Sequence, residues 1–154
     1  MTPVIQAETA AHWAAARSLV RAYAEELSVD LEFQKFGEEV EHLEQHYGPP
    51  DGVFLLAQGA GGFIGCGAAR KFRGDTAEMK RLYVAPAGRG SGTGRALALG
   101  IIERARTLGY SRIVLDTLSS MNAAQGLYRS IGFRVISAYR FNPLPGTMYM
   151  ELAL

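Results

Sequence analysis

From Val84 to Leu97 the chain reads Val-Ala-Pro-Ala-Gly-Arg-Gly-Ser-Gly-Thr-Gly-Arg-Ala-Leu, with glycines at 88, 90, 92 and 94 between an apolar strand and a regular helix. Glycine adopts backbone conformations closed to other residues, and without a Cβ it lets a ligand come against the amides. A turn of this kind at a helix start presents unpaired N–H groups and the positive end of the helix dipole, which together suit phosphate. The chemistry to expect here is recognition of a phosphorylated ligand. A nucleoside-triphosphate loop ends in Gly-Lys-Ser/Thr, whereas Gly94 is followed by Arg95 and Ala96. A dinucleotide loop needs G-x-G-x-x-G after the first strand of a βαβ unit and an acidic residue about 20 positions on. Asp116 stands 22 residues past Gly94, but Gly92-Thr93-Gly94 breaks the register and the loop lies too far along the chain. A plain hinge would need neither Arg89 nor so regular a helix behind it.

The elements that must position this loop follow from periodicity. Trp13, Ala16, Val20, Tyr23 and Leu27 recur at steps of three and four, which predicts a helix over 9–27 after a first strand at 4–7. A second, acidic helix is expected over 31–46, stopped by Pro49, Pro50, Asp51 and Gly52. Apolar runs at 53–58 and 62–70 around Gly-Ala-Gly predict a hairpin, and 76–84 a further strand. A helix over 96–108 stops at Gly109, a strand covers 113–115, a short helix covers 122–131, and strands near 134–141 and 147–153 close the chain. The order β-α-α-β-β-β-α-β-α-β-β predicts an α/β (α+β) fold, a mixed, mostly antiparallel sheet with helices on both faces.

Size and composition narrow the rest. A chain of 154 residues, 48% hydrophobic, suits one domain spanning 1–154. A formal net charge of +1 argues against a dedicated nucleic-acid binder. Cys66 is the sole cysteine, so an intramolecular disulfide and a cysteine metal cluster are excluded, and its setting predicts a small buried strand residue. His42 and His46 share a metal-compatible spacing of four, but with no third ligand in view no metal is expected. No signal core and no membrane-length apolar run is present, so a soluble, cytoplasmic chain without a membrane partner is expected. The oligomeric state stays open, a homodimer being one option.

Three stretches together resemble a known family. Arg89-Gly-Ser-Gly-Thr-Gly94 matches Arg/Gln-x-x-Gly-x-Gly, the pyrophosphate loop of the GCN5-related N-acetyltransferases (GNAT). Glu78-Met-Lys-Arg-Leu-Tyr-Val84 resembles the strand entering that loop, and Asn122-Ala-Ala-Gln-Gly-Leu-Tyr128-Arg-Ser-Ile-Gly-Phe133 the family's second motif. The resemblance implies the GNAT fold and an acetyl-coenzyme A-dependent N-acetyltransferase that transfers acetyl directly to a primary amine in a ternary complex, with no metal. Amides of Gly90, Ser91, Gly92, Thr93, Gly94 and Arg95 would bind the pyrophosphate, with Arg89 and Arg95 adding charge-assisted contacts. Backbone of Leu82, Tyr83 and Val84 would pair with pantetheine, and the Val84 amide would be the oxyanion donor. Tyr128 matches a tyrosine that protonates the leaving sulfur, the alternative being a core tyrosine beside Leu127 and Ile131. Asn122 fits both a helix N-cap, with Gln125 as capping partner, and a cofactor contact.

Two assignments reach toward the acceptor. Glu78 precedes Arg89 by eleven residues, the separation at which the histone-modifying branch carries its catalytic glutamate. Strand alternation would put Glu78, Lys80, Leu82 and Val84 on one face, aiming Glu78 at the thioester as a base; a water chain, or a solvated Glu78 paired with Lys80, is the alternative. Phe33, Phe36, Tyr139 and Phe141 are candidates for the acceptor mouth. Arg81, in a basic group with Arg70, Lys71, Arg73 and Lys80, would favour a small-molecule amine bearing an anion. The rival in another class is a non-catalytic acyl-coenzyme A sensor on the same scaffold.

Overall fold

Alternating apolar residues and tight turns build one sheet of seven strands, in the order β1-β2-β3-β4-β5-β7-β6. The computed structural model describes residues 2–27, 31 and 35–154. Its strands are β1 Val4–Gln6, β2 Val53–Gly59, β3 Gly62–Arg73, β4 Thr76–Val84, β5 Arg112–Thr117, β6 Arg134–Ile136 and β7 Met148–Ala153. Its helices are α1 Ala10–Leu27, α2 Phe36–Glu41, α3 Leu43–Tyr47, α4 Thr93–Thr107 and α5 Asn122–Ile131. Every neighbouring pair is antiparallel except β4 and β5, which run parallel.

The two faces of the sheet carry separate cores. On one, Trp13, Ala16 and Val20 of α1 meet Phe54, Leu56 and Cys66 of β2 and β3, together with Leu43 and Tyr47 of α3. On the other, Leu97, Ile101 and Ala105 of α4 cover Leu55, Ala69, Ala77, Met79 and Ile113. Burying each large apolar side chain contributes about 1.5–3 kcal/mol before entropy is set against it. A Cβ on Gly67 would stand 2.7 Å from Ile101 Cδ1, so the glycine lets α4 settle directly on β3. Cys66 is fully buried and its thiol donates to the Arg81 carbonyl at 3.3 Å; burial pushes that thiol up to about 12.

Two local features create a fork in this sheet. Arg81 has φ 61, and the β3 register moves from Ala68↔Lys80 to Cys66↔Tyr83, so Arg81 and Leu82 together oppose Gly67 in a β-bulge. Beyond it the in-and-out alternation is inverted: Ala77, Met79, Leu82 and Val84 face α4, while Glu78, Lys80, Arg81 and Tyr83 face α1. This corrects the expected alternation, because the extra residue turns Leu82 and Val84 to the face opposite Glu78 and Lys80. Parallel pairing of β4 with β5 covers only Thr76–Glu78 against Arg112–Val114, although both strands continue. The strands part there, leaving one edge of β4 open from Met79 to Val84.

Other expected boundaries also move. In place of one helix over 31–46 the described residues form α2 and α3, broken at His42, whose amide turns back to Glu39 O and whose φ and ψ are −129 and 40. His42 thus lies between the two helices, at the cap of the one that holds His46, and His46 Nδ1 lies 3.4 Å from Arg70 Nη1. Helix α4 starts at Thr93, not Ala96, because the αL conformation of Gly92 (φ 81) caps it. Strand β6 stops at Ile136, well before 141, because Tyr139 and Arg140 leave the sheet edge to reach Glu78.

Candidate active site

A cleft of about 790 Å³ occupies the space opened by the fork. Its floor is the free edge of β4, from Leu82 to Val84; one wall is Tyr23, Glu26 and Leu27 of α1; the other is the start of α5 from Ser120 to Leu127. The glycine loop closes one end through Gly88, Gly90, Gly92, Thr93 and Gly94.

The loop is shaped so that its amides face outward. Gly90 and Gly92 both hold positive φ, 80 and 81, a region costly for residues with a Cβ. The first helical bond of α4 runs from Ala96 N to Gly92 O at 3.0 Å and no side chain caps the helix, so the preceding amides lack helical acceptors. Ser91 and Thr93 spend their hydroxyls inside the loop: Ser91 Oγ donates to Gly88 O at 2.7 Å, and the Ser91 and Thr93 hydroxyls lie 2.9 Å apart. The second of these also meets Thr2 at 3.0 Å. Arg95 donates to Ser130 Oγ at 2.9 Å, which ties α4 to α5. For Ser91 and Thr93 it is therefore the backbone that stays available to a ligand. The Arg89 Nε donates to Val84 O at 2.9 Å, and its Nη2 donates to Glu26 across the cleft. That hydrogen bond from Arg89 holds the Glu26 carboxyl below its ordinary range.

Val84 occupies a particular backbone position. The Ala85 amide bonds Ile64 O at 2.8 Å, so Val84, which lies opposite Gly65, sits at the alternate ladder position. Its N–H and C=O accordingly face away from β3 into the cleft, and the carbonyl is the one that Arg89 takes. An extended thioester arm laid along this edge would find an N–H donor at Val84 and apolar contact at Leu82, Ala124 and Leu127.

Past Tyr23, Leu27, Leu82 and Met121 the cleft narrows into a polar chamber that these four residues also line. Its wall includes Lys80, Arg81, Asp116, Tyr128 and Asn142. Tyr128 is only 6% exposed and packs against Phe133 with ring centres 5.5 Å apart. Burial, reinforced by Tyr23 and Asp116, raises its phenol, so it keeps its proton at neutral pH. Tyr128 is thus both a core side chain and a chamber-lining one.

Beneath the chamber lies a buried ion network. Arg81 grips Glu39 of α2 with two hydrogen bonds, at 2.7 and 3.1 Å, and its guanidinium lies 5.2 Å from the Phe36 ring centre. Burial opposes the Glu39 charge, yet the Arg81 bonds and charge prevail and hold that carboxyl below its usual range. Glu78, 1% exposed, accepts from Tyr139 Oη at 2.7 Å and from Arg140 Nη2 at 2.9 Å. Arg70 adds its charge to Glu39 at 3.8 Å and to Glu78 at 4.0 Å. Burial first, then the Arg81 charge, lower the Lys80 ammonium to about 8.

The fork gathers most of the residues singled out in the sequence, but not all. Leu82, Tyr83, Val84, Arg89, Gly90, Gly92, Thr93, Gly94 and Asn122 line the cleft, with Tyr128 and Arg81 in the chamber. Asn122 is the first residue of α5 and not its cap; Met121 holds that place without a side-chain bond, and Gln125 donates to Leu118 O at 2.8 Å. Glu78 lines neither space, since both its oxygens are taken by the segment after β6. Phe36 packs on Arg81, Tyr139 on Phe72 and Tyr149, and Phe141 stands 83% exposed, so none of the three forms a mouth. Phe33 lies outside the described residues. Sequence reasoning passed over Tyr23, Glu26, Asp116 and Asn142; the one signal was an acidic residue closing the apolar run Ile113-Val-Leu-Asp116.

A sheet forked between parallel strands, with a glycine loop and helix N-terminus at one end of the opening, makes a cleft suited to an extended phosphorylated ligand. The sequence profile of the acetyltransferase (GNAT) family matches residues 9–133. The chain belongs to that family, and its class is that of the N-acetyltransferases. It is 41% identical over 140 residues to an uncharacterized N-acetyltransferase of Schizosaccharomyces pombe, covering 90% of this chain and 86% of that one. Human N-acetylaspartate synthetase is 36% identical over 89% of this chain, which spans only 43% of that protein. The same fold is seen in the PaiA N-acetyltransferase of Thermoplasma acidophilum in complex with coenzyme A, with a TM-score of 0.76 at 17% identity over 100% of this chain and 99% of that one. An acetyltransferase of Streptococcus agalactiae aligns with a TM-score of 0.82 at 23% identity over 99% and 98% of the two chains.

Proposed function

We propose that this chain transfers acetyl from acetyl-coenzyme A directly to the primary amine of a small acceptor that also carries an anionic group. The observation that carries the reading is the fork, which sets the free Val84 amide on the cleft edge and Tyr128 in the chamber it opens into. Acetyl-coenzyme A supplies the acetyl group already activated as a thioester. The Gly90 to Arg95 amides and the α4 dipole hold its phosphates, and Arg89 exchanges Glu26 for phosphate oxygen. The Val84 N–H is a fixed donor toward a carbonyl oxygen that gains charge as the amine attacks. Tyr128, held protonated by burial, keeps a proton ready for the sulfur.

Glu78 acts here as an anchor and not as the base. Its two hydrogen bonds pin Tyr139 and Arg140 under the chamber, so it shapes the acceptor side from below. Support for an anionic acceptor comes from the two cationic side chains, Lys80 and Arg81, in the chamber wall. The relation to a synthetase of N-acetylaspartate points the same way, toward an amino acid. Among the described residues no helix is long and apolar enough to cross a membrane, and no group of three or more His, Cys, Asp or Glu is placed to hold a metal.

The test is thiol release from acetyl-coenzyme A across L-aspartate, other amino acids, spermidine, an aminoglycoside and a Lys-rich peptide. L-aspartate or another anionic amine gives the highest kcat/KM. A better rate with spermidine or the peptide removes the anionic acceptor but keeps the transferase. Tight coenzyme binding with no turnover on any amine would replace the transferase with a sensor.

A further inference from the structure

Strand β5 carries one acidic residue, Asp116, two positions past Val114, where pairing with β4 ends. Its carboxylate therefore stands inside the fork. It shares the chamber with Tyr23 of α1 and Tyr128 of α5, its neighbour in register on β7 is Tyr149, and Tyr139 packs edge-on against Tyr149 with ring centres 5.4 Å apart. Two phenols thus share its chamber, while those of Tyr149 and Tyr139 just beyond donate to Arg140 O and to Glu78. Burial raises all four phenols, and the Asp116 charge pushes each further in the same direction.

The partner of this carboxylate is unlike that of its neighbours. Glu39 is held by Arg81, and Glu78 by Arg140 and Tyr139. Asp116 instead accepts from the neutral amide of Asn142 at 3.2 Å, and no cation is paired with it among the described residues. The Asn142 side-chain oxygen in turn accepts from the Leu144 amide at 2.9 Å, which fixes the amide's orientation. A partly buried carboxylate without a cation, flanked by electron-rich rings, is completed by a cationic ligand.

We infer that Asp116, flanked by Tyr23 and Tyr128, is the docking point for the acceptor's ammonium, and that Asn142 aims it. The inference rests on the acetyl-transfer reading and deepens it, because it assigns the amine end of the acceptor. The amine is then held beside Tyr128, at the mouth through which the cleft meets the chamber.

Protein carrying ¹³C-labelled tyrosine and saturated with coenzyme A is titrated by NMR with L-aspartate and, separately, with ethylammonium chloride. The bare ammonium is included so that binding registers whatever the rest of the acceptor looks like. Ring signals of Tyr23 and Tyr128 shift with both, and an equal concentration of sodium chloride leaves them in place. In Asp116→Asn the shifts vanish and the KM for L-aspartate rises roughly 10- to 100-fold, as on losing a hydrogen bond to a charged group. Stabilisation of the same variant by acetyl-coenzyme A stays as in the unaltered protein. Ring signals unmoved by ethylammonium, or shifts that persist in Asp116→Asn, overturn the inference. Should that variant fail to fold, the titration of the unaltered protein decides alone. If acetyl-coenzyme A does not stabilise the unaltered protein, it is the acetyl-transfer reading that falls.

Discussion

The cleft proposed for the donor and the chamber proposed for the acceptor meet at four shared residues, yet they are built from different materials. The cleft is made of backbone: glycine amides at positive φ, a helix start and the unpaired edge of β4. The chamber is made of side chains brought from α1, β4, β5, α5 and the segment after β6, and buried ion pairs, one of them with Glu39 of α2, hold it in shape. Backbone recognition suits a ligand that never changes. Side-chain recognition suits one that differs from protein to protein.

The sharpest way to break this contrast is to remove a partner from the ion network. Glu39→Ala leaves the Arg81 guanidinium, 4% exposed, without its carboxylate, and is expected to lower unfolding free energy in urea by about 3–5 kcal/mol. A loss under about 1 kcal/mol would mean that the pair does not organise the acceptor side. On the donor side, Gly92→Asp puts a Cβ at φ 81 and a carboxylate at the helix start. Affinity for acetyl-coenzyme A, followed by calorimetry, should fall roughly 100-fold or more while the fold persists.

Substitutions at the junction sharpen the comparison. Tyr128→Phe keeps the packing on Phe133 and should lower kcat by roughly 10- to 10³-fold with coenzyme affinity unchanged. A kcat within twofold, with chemistry rate-limiting, makes the tyrosine a core residue only. Glu78→Gln keeps one hydrogen-bond acceptor but gives up the charge that meets Arg140, and a loss of about fivefold in kcat/KM is expected, equal at pH 6.5 and 8.5. A deficit confined to low pH would restore Glu78 as the base. The smallest effect concerns Lys80, charged below about pH 8 and neutral above it. Attraction for an acceptor carboxylate therefore fades as pH rises through that value, and the KM for L-aspartate should climb a few-fold between pH 7 and 9. In Lys80→Gln this climb, relative to the unaltered protein, is absent.

The same contrast explains what could be read in the sequence. Glycine spacing, Arg89 and the helix behind them encode backbone shape locally, so the loop, the β4 edge and the order of elements were legible. The chamber depends on side chains 42 and 62 residues apart, such as Arg81 with Glu39 and Arg140 with Glu78, and no local pattern marks such partners. Arg81 illustrates the limit. Its type and place suggested a free cation, while the fold gives it a carboxylate from α2. Glu78 stood at the expected separation from Arg89, yet a single bulge three residues on put it on the opposite face from Leu82 and Val84.

That bulge has an evolutionary consequence. In a regular strand a change of ligand on one side is felt by every second residue along its length. The extra residue at Arg81 divides β4 into two halves with opposite phase, so positions 78 and 80 can change on the α1 face while 82 and 84 keep the cleft edge as it is. One extra residue thus lets the two spaces on either side of the strand vary independently.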